Sequence, residues 1–279
     1  MEKLNREKFL NEKYLFVFDL DGTLLDSRQK ILPKTKAIIQ ELKEYGNIIT
    51  LASGRPERAV APYFEELGLS GTFVCHNGAL VVNPSDPAFT SLKKFIPKEV
   101  IHRFFSRFPE SGFVNYMIED ERTQYYLKPN LEYPFFFAPE GMNHVYGSVF
   151  DTVASDMLSF VIQSKDVSRN QEIEEFVRAE FPEYGIRFWH DAPNFGEFYH
   201  RNINKATGVS YVAKMYHIDN SHVVCFGDAM NDMDMITSCG ISFAMKNGVD
   251  KIKEAARFIT PATNDEEGIY LALLDYFSK

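Results

Sequence analysis

Leu15-Phe16-Val17-Phe18-Asp19-Leu20-Asp21-Gly22-Thr23-Leu24-Leu25 is the segment from which the architecture is read. Four consecutive apolar residues without polar alternation are the pattern of a strand buried on both faces, as in a parallel sheet. The run ends in two carboxylates and a glycine. Open α/β sheets bind ligands beyond the carboxyl ends of their strands, so Asp19 and Asp21 are predicted at such an edge. Residues i and i+2 of a strand share a face, and Gly22 lets the chain turn away. Buried unpaired carboxylates are costly, so something must offset them; a bound cation with a phosphate-handling site would do so. One acid could then attack phosphorus while its neighbour moves protons.

Outward from this segment, strand and helix alternate. Pro33 to Tyr45 is predicted helical, with proline at its start, Ile38, Ile39, Leu42 and Tyr45 on one face and Gly46 as its stop. Asn47 to Ala52 reads as a second strand, Pro56 to Leu67 as a second helix and Thr72 to Cys75 as a third strand. The texture changes after the turn signal Asn77-Gly78 and the loop-like Asn83-Pro84-Ser85-Asp86-Pro87. Aromatic-rich strands and two helices then follow: strands at Phe113 to Ile118, Thr123 to Leu127, Leu158 to Gln163 and Ile186 to His190, helices at Pro97 to Phe108 and Asn170 to Phe181. Alternation resumes with helix Asn204 to Tyr216, strand His222 to Phe226, helix Asn231 to Thr237 and strand Ile241 to Ala244. The expected architecture is a doubly wound, Rossmann-like parallel sheet core, residues 1–83 and 195–279, interrupted by an α+β cap domain at residues 84–194.

Three further motifs fall at strand ends or helix starts. Ser53-Gly54-Arg55-Pro56 puts a hydroxyl and free backbone N–H groups before the second helix, an arrangement that serves equally as a cap and as an anion site. Lys205 sits at a helix N-terminus, where the helix dipole disfavours a cation, so it is expected to balance anions. Gly227-Asp228-Ala229-Met230-Asn231-Asp232 again carries an apolar strand into acids. Asp228 and Asp232 are hard oxygen ligands of the kind Mg²⁺ takes, whereas Asp234 reads as an acid favourably placed in a helix's first turn.

Bulk properties narrow the classes. The chain has 279 residues and a formal net charge of −9, which argues against a nucleic-acid footprint built of clustered Lys and Arg. Residues 84–194 hold 17 acids against 11 bases, so the insert is no general polyanion clamp. Cys75, Cys225 and Cys239 have no CxxC spacing and read as buried free thiols. No run approaches the length of a membrane span, and a cytoplasmic location is expected.

Taken in order, Asp-Leu-Asp-Gly-Thr-Leu, Ser-Gly-Arg, a lone Lys and Gly-Asp-x-x-Asn-Asp resemble the motifs of the haloacid dehalogenase-like phosphatase superfamily, most closely its Cof-type branch. The resemblance implies that Asp19 is the nucleophile, forming an aspartyl-phosphate, and that Asp21 is general acid and then general base. It implies that Ser53, the Gly54 amide, Asn231 and Lys205 contact phosphate. It further implies that Lys205 offsets charge on Asp19 and that Mg²⁺ is held by Asp19, the Asp21 carbonyl and Asp228, with Asp232 supporting the shell. One departure is Ala206, where the branch often has glycine after the lysine. The insert's place between Ser53 and Lys205 resembles the Cof-type cap. The cap offers Tyr116, Tyr125, Asn130, Arg187 and His190 for substrate contact, but each reads first as packing or as a surface residue. The expected activity is Mg²⁺-dependent hydrolysis of a small phosphorylated metabolite, such as a sugar phosphate, by a monomer or weak homodimer. A phosphomutase, or a binding protein without turnover, are the alternatives; the acidic insert speaks against the mutase, which needs a basic cap.

Overall fold

A computed structural model describes residues 4–10, 12–86, 88–130, 141–189 and 192–278. The chain divides into two units, Met1–Leu92 with Ile203–Lys279, and Lys93–Asn202. Residues 84–92 thus group with the first unit and residues 195–202 with the second.

The first unit is built on a parallel sheet of five strands: β1 (Leu15–Phe18), β2 (Ile48–Leu51), β3 (Val223–Gly227), β4 (Ile241–Ala244) and β5 (Phe258–Ile259), in the order β5-β4-β3-β1-β2. All four residues of β1 are fully buried, as an apolar run without alternation requires. Its register sets Phe18 beside Phe226 of β3 and beside Leu51 of β2. The chain segments leaving β1, β2 and β3 at Asp19, Ala52 and Asp228 therefore emerge at one edge. Helix α1 (Pro33–Glu44) begins on proline and buries Ile38, Ile39 and Leu42; Gly46, at φ +84°, ends the turn that follows it. Helix α2 (Glu57–Glu66) follows β2, and α3 (Lys205–Met215) leads into β3. Asn204 caps α3 through a reciprocal pair of bonds with Thr207.

The expected third strand forms at Phe73–Cys75 but does not extend the parallel ladder. It pairs antiparallel with Leu80–Val82 in a separate small sheet, and a single parallel bridge from Ala52 to Val74 ties it to the segment after β2. The cause is local. His76, Asn77 and Gly78 have φ of +47°, +51° and +97°, and this left-handed run sends the chain straight back.

The second unit carries six strands in the order Tyr184–Phe188, Phe195–His200, Ser159–Ser164, Phe113–Glu119, Thr123–Tyr126 and Asn143–Tyr146. Neighbours pair antiparallel except the last two, which are parallel. The charged turn at Glu119 to Arg122 joins two of these strands as the sequence predicts, with Asp120 accepting the Arg122 and Thr123 backbone N–H groups at 2.8 Å. Helices Lys98–Arg107 and Asn170–Glu180 contribute Ile101, Phe104, Phe105, Ile173 and Val177 to a core shared with Tyr116, Phe160 and Phe198. His190 lies outside the described residues. The three cysteines are free and buried. Among the described residues no helix is long and apolar enough to cross a membrane.

Candidate active site

The backbone brings the acids together before any side chain does. Asp19 N–H donates to the Phe226 carbonyl at 3.2 Å, which extends the β1–β3 pairing by one residue past the strand. Asp19 is thereby carried beside the start of the Asp228 segment. Gly22 takes φ +77°, and a Cβ there would lie 2.5 Å from Asp228 Oδ2, so only glycine lets the turn approach that carboxylate. Thr23 Oγ1 donates to Asp228 Oδ1 at 2.9 Å from the same turn.

Lys205 joins the set from the first residue of α3. Its side chain is fully buried, and Nζ donates to Asp19 Oδ1 at 2.5 Å and to Asp232 Oδ1 at 2.6 Å. The other oxygen of Asp232, Oδ2, accepts the backbone N–H groups of Asp228 and Ala229, each at 3.0 Å. Asp232 thus ties the ammonium to the loop that presents Asp228. Ligand oxygens of Asp19, Asp228 and Asp232 all lie within 4.8 Å of one another.

One ammonium cannot neutralise three carboxylates in a buried place. Burial alone would lower the Lys205 pKa, but Asp19 and Asp232 reverse this and hold it above its usual value. Burial pushes Asp19 well above the carboxylate range, with Lys205 opposing and Asp232 and Asp228 adding to the rise. Asp228 is pushed up to about 6, by burial first and by Asp232 next, against the Thr23 hydrogen bond, Lys205 and Asp19. Excess negative charge on hard oxygen donors fits a divalent cation such as Mg²⁺.

The remaining predicted residues also belong to the first unit. Ser53 is buried; its Oγ accepts the Arg55 N–H at 3.1 Å, and its carbonyl accepts the Asn77 N–H at 3.0 Å. Gly54 packs against the Asn77 amide, which a Cβ would meet at 3.1 Å. Asn231 Nδ2 donates to Asn77 Oδ1 at 3.1 Å, linking the loop after β3 to the Ser53 segment. The Asp21 side chain is half-exposed and is engaged by Arg55, not by the carboxylate cluster. Asp234 is an exposed acid in the first turn of Met233–Ser238, as expected. Thr23, Arg55 and Asn77 went unassigned in the sequence, although each lies inside a motif quoted above. Asn247, which donates to the Gly22 carbonyl at 2.7 Å, carried no signal there at all.

Comparison with known proteins adds an independent line. A sequence profile of the haloacid dehalogenase-like hydrolases matches residues 16–273. The Bacillus subtilis (strain 168) protein named 5-amino-6-(5-phospho-D-ribitylamino)uracil phosphatase YitU is 30% identical over 268 residues, spanning 95% of this chain and 98% of that one. Among solved structures, a haloacid dehalogenase-like hydrolase from Bacteroides thetaiotaomicron superposes with a TM-score of 0.80 at 24% identity, covering 95% of this chain and 100% of the other. The subclass IIB sugar phosphatase BT4131 superposes with a TM-score of 0.76 at 21% identity, covering 95% and 99%. The two structural likenesses establish the fold.

Proposed function

This chain belongs to the haloacid dehalogenase-like hydrolase family and is a phosphoric monoester hydrolase, and from that premise we propose that it is a Mg²⁺-dependent phosphatase of a small phosphorylated metabolite. The observation that carries the reading is the buried Lys205 ammonium shared by Asp19 and Asp232, with Asp228 alongside. The arrangement leaves a surplus of negative charge around one candidate nucleophile. Asp19, Asp228 and the Asp21 carbonyl would hold the ion, and Asp232 supports them through the Asp228 backbone. Bound there, Mg²⁺ would offset the mutual repulsion of an anionic phosphate and an anionic carboxylate.

The chain's own groups divide the rest of the work. Asp19 attacks phosphorus, and the bond to the leaving alcohol breaks as Asp21 delivers a proton to the departing oxygen. Asp21, now a carboxylate, takes a proton from the water that attacks the aspartyl-phosphate. Asp19 and inorganic phosphate are released. Ser53, the Gly54 amide, Asn231 and Lys205 take up charge on the transferring oxygens. Sugar phosphates are the substrate class we favour. The phosphorylated ribitylaminouracil for which the Bacillus relative is named belongs in the same screen.

Replacing Asp19 with Asn tests the reading. The variant is expected to lose turnover while its circular dichroism is unchanged, and chelation of divalent cations is expected to silence the unaltered protein until Mg²⁺ is restored. Undiminished activity in Asp19→Asn, or indifference to chelation, would remove the proposal.

A further inference from the structure

Arg55 closes the Ser53-Gly54-Arg55 motif, and no step above uses it. Its guanidinium meets Asp21 as a fork: Nε donates to Oδ2 at 2.8 Å and Nη2 to Oδ1 at 2.5 Å. Both carboxylate oxygens are thus held in one plane, which fixes their orientation as a single contact could not. Arg55 is itself fixed from three sides. Nη2 also donates to Gln29 Oε1, the guanidinium carbon lies 5.6 Å from the centre of the Tyr63 ring, and the backbone N–H is held by Ser53 Oγ. The Tyr63 hydroxyl in turn donates to the Gln29 carbonyl at 3.5 Å.

An ion pair whose carboxylate partner is half-exposed contributes little to folding, so stability does not account for so many restraints. We propose that Arg55 is a positioning residue for proton transfer: it orients the Asp21 carboxyl for delivery to the leaving oxygen. This inference rests on the assignment of Asp21 as general acid. In the step concerned the O–H bond of the Asp21 carboxyl breaks as the leaving oxygen takes the proton. The carboxylate that remains is the form the guanidinium fork complements. Without Arg55 that carboxyl samples other rotamers, and the fraction aimed at the leaving group falls. The Lys205 contact that holds Asp19 is separate from this fork.

The test compares two substrates of similar size, p-nitrophenyl phosphate and phenyl phosphate. The first leaves with little help from a proton, and the second needs one. The quantity read is the ratio of their kcat/KM values on the same preparation, which cancels any loss of folded protein. Asp21→Asn serves as the reference. Arg55→Ala is expected to lower the phenyl-to-nitrophenyl ratio on the order of tenfold, in the direction Asp21→Asn lowers it. Arg55→Lys, which keeps the charge but not the fork, is expected to fall between Arg55→Ala and the unaltered protein. An unchanged ratio in Arg55→Ala, beside a lowered one in Asp21→Asn, would overturn the role of Arg55. An unchanged ratio in Asp21→Asn itself would instead overturn the assignment of Asp21, and this proposal with it.

Discussion

Asp19, Lys205, Asp228 and Asp232 behave as one charged unit whose members are not interchangeable. Removing the ammonium leaves two carboxylates buried without their partner, and breaking a buried pair in this way costs about 3–5 kcal/mol. Lys205→Met is therefore expected to lower urea-unfolding stability by about that amount and to abolish turnover. Adding Asp232→Asn should return part of the stability and none of the activity, because neighbours in one network do not act additively. Cation binding at this cluster, as proposed, would depend on pH. Asp228 stands at about 6 against an ordinary 3.8, so the folded chain binds its proton more tightly than the unfolded chain does. Without a metal, this group's contribution favours folding as pH falls from above 6 towards 4, and the advantage is lost as pH rises through 6. A bound divalent cation needs the ionised carboxylate and works in the opposite sense. The rise in Tm produced by millimolar Mg²⁺ is accordingly expected to be larger near pH 7.5 than near pH 5, a comparison that thermal melts make directly.

Between residue and molecule, the junction of the small antiparallel hairpin with α3 sets where Lys205 stands. Gly78 has φ +97°, and a Cβ there would lie 2.0 Å from the Asn204 carbonyl oxygen, immediately before Lys205. Backbone cannot yield as a flexible side chain can. Gly78→Ala is expected to cost about 2 kcal/mol or more and to reduce kcat through displacement of the α3 N-terminus, whereas alanine at Gly46, with nothing within 4 Å of its Cβ, should affect stability alone. Chemical denaturation and steady-state kinetics on the two variants separate these outcomes. The elements themselves were largely legible. Strand β1 declared itself by an apolar run and α1 by proline, periodicity and glycine, and both lie within a residue or so of their expected bounds. Less legible were Phe195–His200 and Asn143–Tyr146, strands whose glycine and polar residues break the period-two signal. The direction of pairing at Phe73–Cys75 was also hidden, because it turns on three consecutive positive φ values that residue types suggest only at Asn77-Gly78.

At the scale of the molecule, each unit has a core of its own, and the two should respond separately to damage. Phe104 is fully buried among Phe105, Phe113, Phe160 and Phe198 in the second unit. Phe104→Ala removes about 3–5 kcal/mol of packing there. The single tryptophan, Trp189, belongs to the same unit, stacked on Phe195 with ring centres 5.1 Å apart. Tryptophan fluorescence is thus expected to report an early transition in the variant, with the far-ultraviolet circular dichroism signal of the first unit following at higher denaturant; coincident transitions would mean that the units unfold together. What the amino-acid order determined unaided was local: a buried strand ending in acids, a hydroxyl before a helix, a cation where a helix dipole disfavours one, and a second apolar strand ending in acids. These signals survive in one dimension because each depends on residues within a turn or two. Only the folded chain decided that Lys205 closes on Asp19 across 186 positions, that Asp232 spends both oxygens holding Lys205 and the Asp228 loop, and that Asp21 turns to Arg55. Those pairings follow from the register of β1 against β3 and β2, and register is set by packing the whole sheet, a sum over distant contacts that no short stretch of residues contains.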